Sequence, residues 1–308
     1  MWMNAPGLEK PIFFVGMPRS GTTILFEAFA RHPELGWPSN YSERQPHQPW
    51  LNLLCRLLDN RIVHLRGHKQ QYAKARFGNR YLPHPDEAYC FWDHYTGREF
   101  SREYLTDTVV DTQTRERVRS AVEAILRWQG RRRFAAKLTG PPRIAFLDSI
   151  FPDAQFVHVV RDGRAVVHSL LKVGFWRRKG GFDGPFWCGG ISESELLAWH
   201  ASGRDPGVLA ALQWQHIVST ARSESRELPQ DRYREIKYEE FIDSPHHVLS
   251  NLYNYCTLSD ADAGHDFLDH GGVGLKNMNT KFHNEVAEDS ARQIAAALQP
   301  MLAELGYV

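Results

Sequence analysis

Cysteine is scarce: four stand in 308 residues, and none forms a C-x-x-C pair. Cys55, Cys90, Cys188 and Cys256 lack the spacing of a structural zinc site, and a chain of this size does not depend on a disulfide framework. They read as reduced thiols in a cytoplasmic protein. An excess of one charge is missing too. Lys and Arg number 37 against 36 Asp and Glu, a net charge of +1 with His neutral. That balance excludes bulk attraction to nucleic acid or to an anionic membrane, while leaving room for a small local anion site. No stretch approaches the roughly 18 apolar residues of a membrane span. Met1 to Lys10 lack the basic flank and apolar run of a signal peptide. What remains is an ordinary globular composition, 42% hydrophobic and 24% charged. It is too apolar for disorder and long enough for one or two domains.

The first element is the apolar run Pro11 to Gly16, a buried strand by composition. The loop Gly16-Met-Pro-Arg-Ser-Gly21 follows. Thr22 to Arg31 is then a helix with Leu25, Phe26 and Phe29 on one face, stopped by His32-Pro33. Leu35 to Trp37 supplies a second strand. The same grammar returns later in the chain. Phe134 to Leu138 is a strand and Arg143 to Ile150 a helix. Gln155 to Val160 is a strand, with Ala165 to Val173 helical after it. Arg234 to Tyr238 is a further strand, and His246 to Cys256 a helix with Val248, Leu249, Leu252 and Tyr253 on one side. Strands alternating with helices predict an α/β fold, a parallel sheet covered on both faces. Two mostly helical intervals, about 46–133 and 174–232, interrupt the pattern and read as caps on a single domain spanning 1–308.

Gly16-x4-Gly21-Thr22-Thr23 has the spacing of a phosphate-binding P-loop, G-x-x-x-x-G-K-[ST]. Its backbone N–H groups can ring an anion at a helix N-terminus, where the macrodipole favours negative charge. Where a nucleotide hydrolase carries its lysine, this chain has Thr22, which disfavours ordinary ATP or GTP hydrolysis. The cation sits inside the loop instead, at Arg19, beside Ser20. A second motif is Val159-Val-Arg161-Asp-Gly-Arg-Ala-Val-Val-His-Ser169. A guanidinium at a strand end and a hydroxyl on the next helix can meet one phosphate, and Arg suits a bidentate contact. Taken alone, the Arg-Asp turn describes a surface ion pair equally well.

Together these two motifs resemble the sulfotransferase family that uses 3′-phosphoadenosine 5′-phosphosulfate (PAPS). Pro18-Arg-Ser-Gly-Thr-Thr23 is similar to its 5′-phosphosulfate loop, and Arg161 and Ser169 stand at its 3′-phosphate spacing. Lys237-Tyr-Glu-Glu-Phe241, followed by Ser244-Pro245, resembles the segment on the adenosine side. Phe151 to His158 resembles the corresponding strand of bacterial and Golgi-type members. The resemblance implies a three-layer parallel sheet of the P-loop nucleoside-triphosphate-hydrolase type. It also implies transfer of a sulfuryl group from PAPS, with 3′-phosphoadenosine 5′-phosphate (PAP) as product, to a hydroxyl or amine of an acceptor. Arg19, Ser20, Gly21, Thr22 and Thr23 would hold the 5′ end of PAPS, Arg161 and Ser169 the 3′-phosphate, and Tyr238 would lie near the adenine. No metal is required.

Lys137, in Lys137-Leu-Thr-Gly-Pro141, resembles the family's Lys-Thr-His segment, so it would approach the transferred group; otherwise it is a strand-end lysine. The position of the cytosolic branch's catalytic histidine is Thr139 here, a poor base. Glu43, in a segment similar to that of the tyrosylprotein branch, is the expected general base, the alternative being a loop glutamate paired with Arg44. Glu87 and His94, in Pro85-Asp-Glu-Ala-Tyr-Cys-Phe-Trp-Asp-His94, are held in reserve. Asn279-Thr-Lys281-Phe-His-Asn-Glu285 resembles the short basic-aromatic segment that closes over the nucleotide in many members, which would make Lys281 a phosphate contact, the alternative being a surface lysine. Trp92, Phe175, Trp176, Phe186 and Trp187 suggest an acceptor with an apolar body. Two rivals remain: a P-loop kinase for a small molecule, and a non-catalytic nucleotide-binding protein.

Overall fold

A computed structural model describes residues 8–60, 62–67, 81–106, 108–178, 186–201, 203–270, 275 and 288–307. Its strands are β1 (Ile12–Gly16), β2 (Leu35–Gly36), β3 (Arg133–Thr139), β4 (Gln155–Val160) and β5 (Tyr233–Lys237). In the first half of the chain the helices are α1 (Thr22–Phe29), α2 (Asn40–Arg44), α3 (Leu53–Leu58), α4 (Tyr89–Thr96), α5 (Thr112–Gln129) and α6 (Ile144–Ile150). In the second half they are α7 (Gly163–Leu171), α8 (Gly174–Arg178), α9 (Glu193–Ala201), α10 (Pro206–Ser225), α11 (Tyr238–Asp243), α12 (Pro245–Tyr255), α13 (Asp262–His270) and α14 (Glu288–Glu304).

The strands pair in the order β2-β3-β1-β4-β5, and every pair is parallel. Ile12 sits opposite both Ala135 and Gln155, and Val160 opposite Lys237. The expected parallel α/β sheet is therefore present, with each expected strand found to within one residue at either end. Because side chains alternate across a strand, β1 serves two cores at once. Ile12 and Phe14 face Leu25, Phe29, Leu249 and Tyr253 of α1 and α12. Phe13 and Val15 face Val118, Val122 and Leu147 of α5 and α6. On that second face, α7 and α10 extend the layer, and α14 packs on both through Ile294, Leu298 and Leu302.

The chain crosses from one side of β1 to the other between β3 and β4, so the carboxyl ends of these central strands open into a crevice. Ligands of doubly wound sheets bind at such a switch point. The P-loop follows β1, Lys137 to Thr139 end β3, Arg161 follows β4 and Tyr238 follows β5. No helix of the described residues is long and apolar enough to cross a membrane.

Candidate functional site

The P-loop begins where β1 runs out of partners. Gly16 has φ 143 and its position leaves a side chain only 2.5 Å from the Val159 carbonyl, so glycine is needed there. Gly21 has φ 85, and a Cβ on it would run into the ring of Tyr238. The Tyr238 side chain thus lies directly against the loop. Between the glycines, Arg19 itself is left-handed, with φ 77. That backbone is unfavourable for a residue with a Cβ and is held by its surroundings. The Arg19 carbonyl accepts from Arg161 Nη1 at 3.0 Å, and Arg19 Nε donates to Ser169 Oγ at 2.9 Å. The two motifs meet in one place. Arg161 is 8% exposed, with its guanidinium 4.6 Å from the Tyr238 ring centroid. Burial pulls the Arg161 guanidinium below its ordinary value, opposed by Tyr238 and Glu239. Burial pushes the Tyr238 phenol up.

A cleft of about 440 Å3 opens beside the loop. Its polar end is made by Arg19, Thr22, Thr23, Lys137, Thr139 and Glu87. Its apolar wall comes from Val173, Phe175, Phe186 and Trp187, with the rings of Phe186 and Trp187 stacked at 4.2 Å. Lys137 is buried on the α1 face of the sheet, the side set by its odd position in β3. Its Nζ donates to Thr23 Oγ1 at 3.1 Å and to Glu87 Oε1 at 2.8 Å. Thr139 Oγ1 donates to the same Glu87 oxygen at 2.5 Å. A lysine and a carboxylate thus share the mouth of the P-loop. Two contacts fix the segment that carries Glu87. Its carbonyl accepts from Trp92 Nε1 at 3.1 Å, and the Tyr89 hydroxyl donates to the Thr139 carbonyl at 2.5 Å. Burial, with Glu87 nearby, pushes the Tyr89 phenol up, so it stays a donor.

Several expected residues lie elsewhere. Glu43 is not among the residues lining this cleft. Its carboxylate accepts the backbone N–H of Cys90 at 3.0 Å and the Cys90 thiol at 3.2 Å. Cys90 is in the first turn of α4, whose preceding residue, Ala88, offers no side-chain cap. Glu43 supplies that cap from another helix, with a negative charge at a helix N-terminus. His94, in the last turn of α4, packs on Tyr95 at 4.7 Å. Trp92 and Trp176 are fully buried in the core rather than in the cleft, and Trp176 Nε1 donates to Gln213 Oε1. Lys281 lies outside the described residues. The sequence reading missed Tyr89 and Ser101 as cleft residues, and Arg143, buried 5.0 Å from the Phe100 ring and 5.9 Å from that of Tyr89. Only the aromatic density after Glu87 signalled them.

The model of the sulfotransferase family matches residues 11–262. An omega-hydroxy-beta-dihydromenaquinone-9 sulfotransferase of Mycobacterium tuberculosis is 27% identical over 270 residues, covering 82% of this chain and 64% of the relative. The chain therefore spans less than two thirds of that relative's length. A protein-tyrosine sulfotransferase of Danio rerio is 27% identical over 186 residues, covering 53% of this chain and 45% of the relative. Among solved structures, a sulfotransferase of Mycobacterium avium superposes with a TM-score of 0.57 at 18% identity, over 96% of this chain and 77% of that one. That likeness is one of fold. With the family model spanning all five strands, the chain belongs to the sulfotransferase family.

Proposed function

We propose that the chain transfers a sulfuryl group from PAPS to the hydroxyl of an acceptor with an apolar body. The observation that carries this reading is the bond from Arg19 to Ser169, which joins the P-loop to the Arg161–Ser169 motif in one anion-binding surface. The residues present suit such a donor. Ser20 is 1% exposed and its Oγ has no hydrogen-bond partner. A buried hydroxyl left that way is costly unless a ligand satisfies it. Helix α1 begins at Thr22, and Gly21 before it offers no side-chain cap, so the N–H groups of its first turn lack an intrahelical acceptor. Arg19, Lys137 and Arg161 add positive charge at the same strand ends.

In this reading Arg19, Ser20, Gly21, Thr22 and Thr23 hold the 5′ end of the donor, Arg161 and Ser169 its 3′-phosphate, and Tyr238 its adenosine side. Bound there, the donor supplies the sulfuryl group and departs as PAP. Lys137 and the loop N–H groups stabilise charge that develops at the loop mouth. Glu87 takes the acceptor proton, because it lines the cleft where Glu43 does not. Lys137 and Thr139 hold its carboxylate in place, as a general base needs fixed geometry before a matched pKa. Val173, Phe175, Phe186 and Trp187 seat the apolar body of the acceptor. The mycobacterial relative, by its name, acts on a hydroxylated menaquinone, which is one such alcohol. None of the four cysteines is in a disulfide, which favours a reducing, cytoplasmic setting.

The test is incubation of the purified protein with isotopically labelled donor and a panel of long-chain alcohols, phenols and sugars. Mass spectrometry is expected to find the label on an apolar alcohol or phenol. Label on sugars alone would refute the apolar acceptor, and no label on any acceptor would favour a non-catalytic nucleotide-binding protein.

A further inference from the structure

Three contacts converge on Tyr307, the residue that follows the turn ending α14. Its hydroxyl donates to Glu239 Oε2 at 2.7 Å. The other oxygen of that carboxylate, Glu239 Oε1, accepts the backbone N–H of Asp162 at 3.2 Å. The Tyr307 carbonyl accepts from Arg164 Nη2 at 3.1 Å, and Arg164 in turn grips both carboxylate oxygens of Asp162. Lys237 Nζ stands 5.1 Å from the Tyr307 ring centroid. Burial and Glu239 push the phenol up, so it remains a proton donor to the carboxylate. The residues it touches flank the two that matter: Asp162 follows Arg161, and Lys237 and Glu239 bracket Tyr238.

We propose that Tyr307 is a positioning residue for recognition of a nucleotide 3′-phosphate, acting through Glu239 to pin the turn that carries Arg161 against the start of α11 that carries Tyr238. This rests on the assignment of Arg161 to the 3′-phosphate made above. The hydrogen bond to a carboxylate is of the charge-assisted kind, and its loss weakens the hold of Glu239 on the Asp162 N–H. The guanidinium of Arg161 then keeps its charge but loses its fixed direction. The 5′ end of the nucleotide is held by the backbone N–H groups of the P-loop, which meets this strut through the Arg161 bond to the Arg19 carbonyl, so 5′ binding depends on the strut less than 3′ binding does.

The experiment is titration calorimetry with PAP and with 5′-AMP, which differ by the 3′-phosphate, on the wild type, Tyr307→Phe, Glu239→Gln and the double variant. Tyr307→Phe is expected to weaken PAP about tenfold while 5′-AMP changes less than about twofold. In the Glu239→Gln background the same substitution is expected to add little further, since the cycle isolates a coupling that runs through Glu239. Equal weakening of both nucleotides would overturn the proposal, because that is what general loosening of the fold gives. So would unchanged PAP affinity, or a full Tyr307→Phe effect in the Glu239→Gln background. A wild type that binds PAP no better than 5′-AMP would instead overturn the Arg161 assignment, and this proposal with it. Unchanged Tm values identify the variants as folded.

Discussion

Arg19 Nε lies 2.9 Å from Ser169 Oγ, across 150 residues of sequence, while Arg161 reaches back to the Arg19 carbonyl. The loop that follows β1 and the turn that follows β4 are therefore one structure. Ser169→Ala removes the acceptor for Arg19 and a hydroxyl of the anion surface. It is expected to weaken PAP binding about tenfold, with little effect on Tm, because Ser169 is outside the buried core. Calorimetry with PAP checks it, and unchanged affinity would separate the two motifs.

Glu87→Gln keeps the hydrogen-bonding shape at Lys137 and Thr139 but removes the proposed base. Turnover is expected to fall by about 10²–10⁴-fold while PAP affinity stays within about threefold. Glu43→Gln is expected to behave differently. It weakens a cap on α4, costing about 0.5–1 kcal/mol of stability, and leaves turnover within about tenfold. Steady-state kinetics alongside denaturant unfolding separates the pair. Abolished turnover in Glu43→Gln with normal turnover in Glu87→Gln would return the base to Glu43.

Gly21→Ala places a methyl group into the Tyr238 ring at a backbone angle that alanine resists. The expected loss is at least about 1 kcal/mol of stability and nearly all PAP binding. Gly97→Ala, another left-handed glycine but with open space around its position, serves as the control and is expected to lose stability alone. If the Gly21 variant binds PAP normally, the packing of Tyr238 on the loop is not what shapes the site.

His158 on β4 is fully buried, and burial, with Arg222 nearby, holds it down at about 3 against an ordinary 6.5. The unfolded chain takes up a proton below pH 6.5, whereas the folded chain does so only near pH 3. Stability tied to this residue is complete above 6.5 and erodes as the pH falls towards 3. Relative to His158→Gln, the wild type is expected to lose about 1.4 kcal/mol per pH unit between about pH 6 and pH 4. Urea unfolding across that range reads the slope; parallel curves for the two proteins would show that the imidazole is charged in the folded state.

The strands were legible because a central parallel strand must be largely apolar on both faces, as Ile12 to Val15 are and as Phe156 to Val160 are apart from the buried His158. The loop glycines were legible because their spacing is dictated by backbone geometry. Glu43 and Glu87 could not be ranked in the same way. Glu43 precedes the first cap and Glu87 lies within it, and which one reaches the end of β3 depends on how α2 and α4 pack, a tertiary matter with no local signature. Trp92 and Phe186 show the same limit: two aromatics of cap segments, one fills the core beside Phe13 and the other walls the cleft. The pairing of Tyr307 with Glu239, 68 residues apart, left no trace in local pattern either.

The central claim is that this P-loop reads a nucleotide by its 3′-phosphate. The direct test is calorimetric titration of PAP and of ATP, with and without magnesium, into the wild type and Arg161→Ala. The account predicts that the wild type prefers PAP strongly and without magnesium, and that Arg161→Ala weakens PAP by roughly 10–100-fold while ATP binding barely moves. Equal losses for both nucleotides, or magnesium-dependent ATP binding tighter than that of PAP, would contradict it.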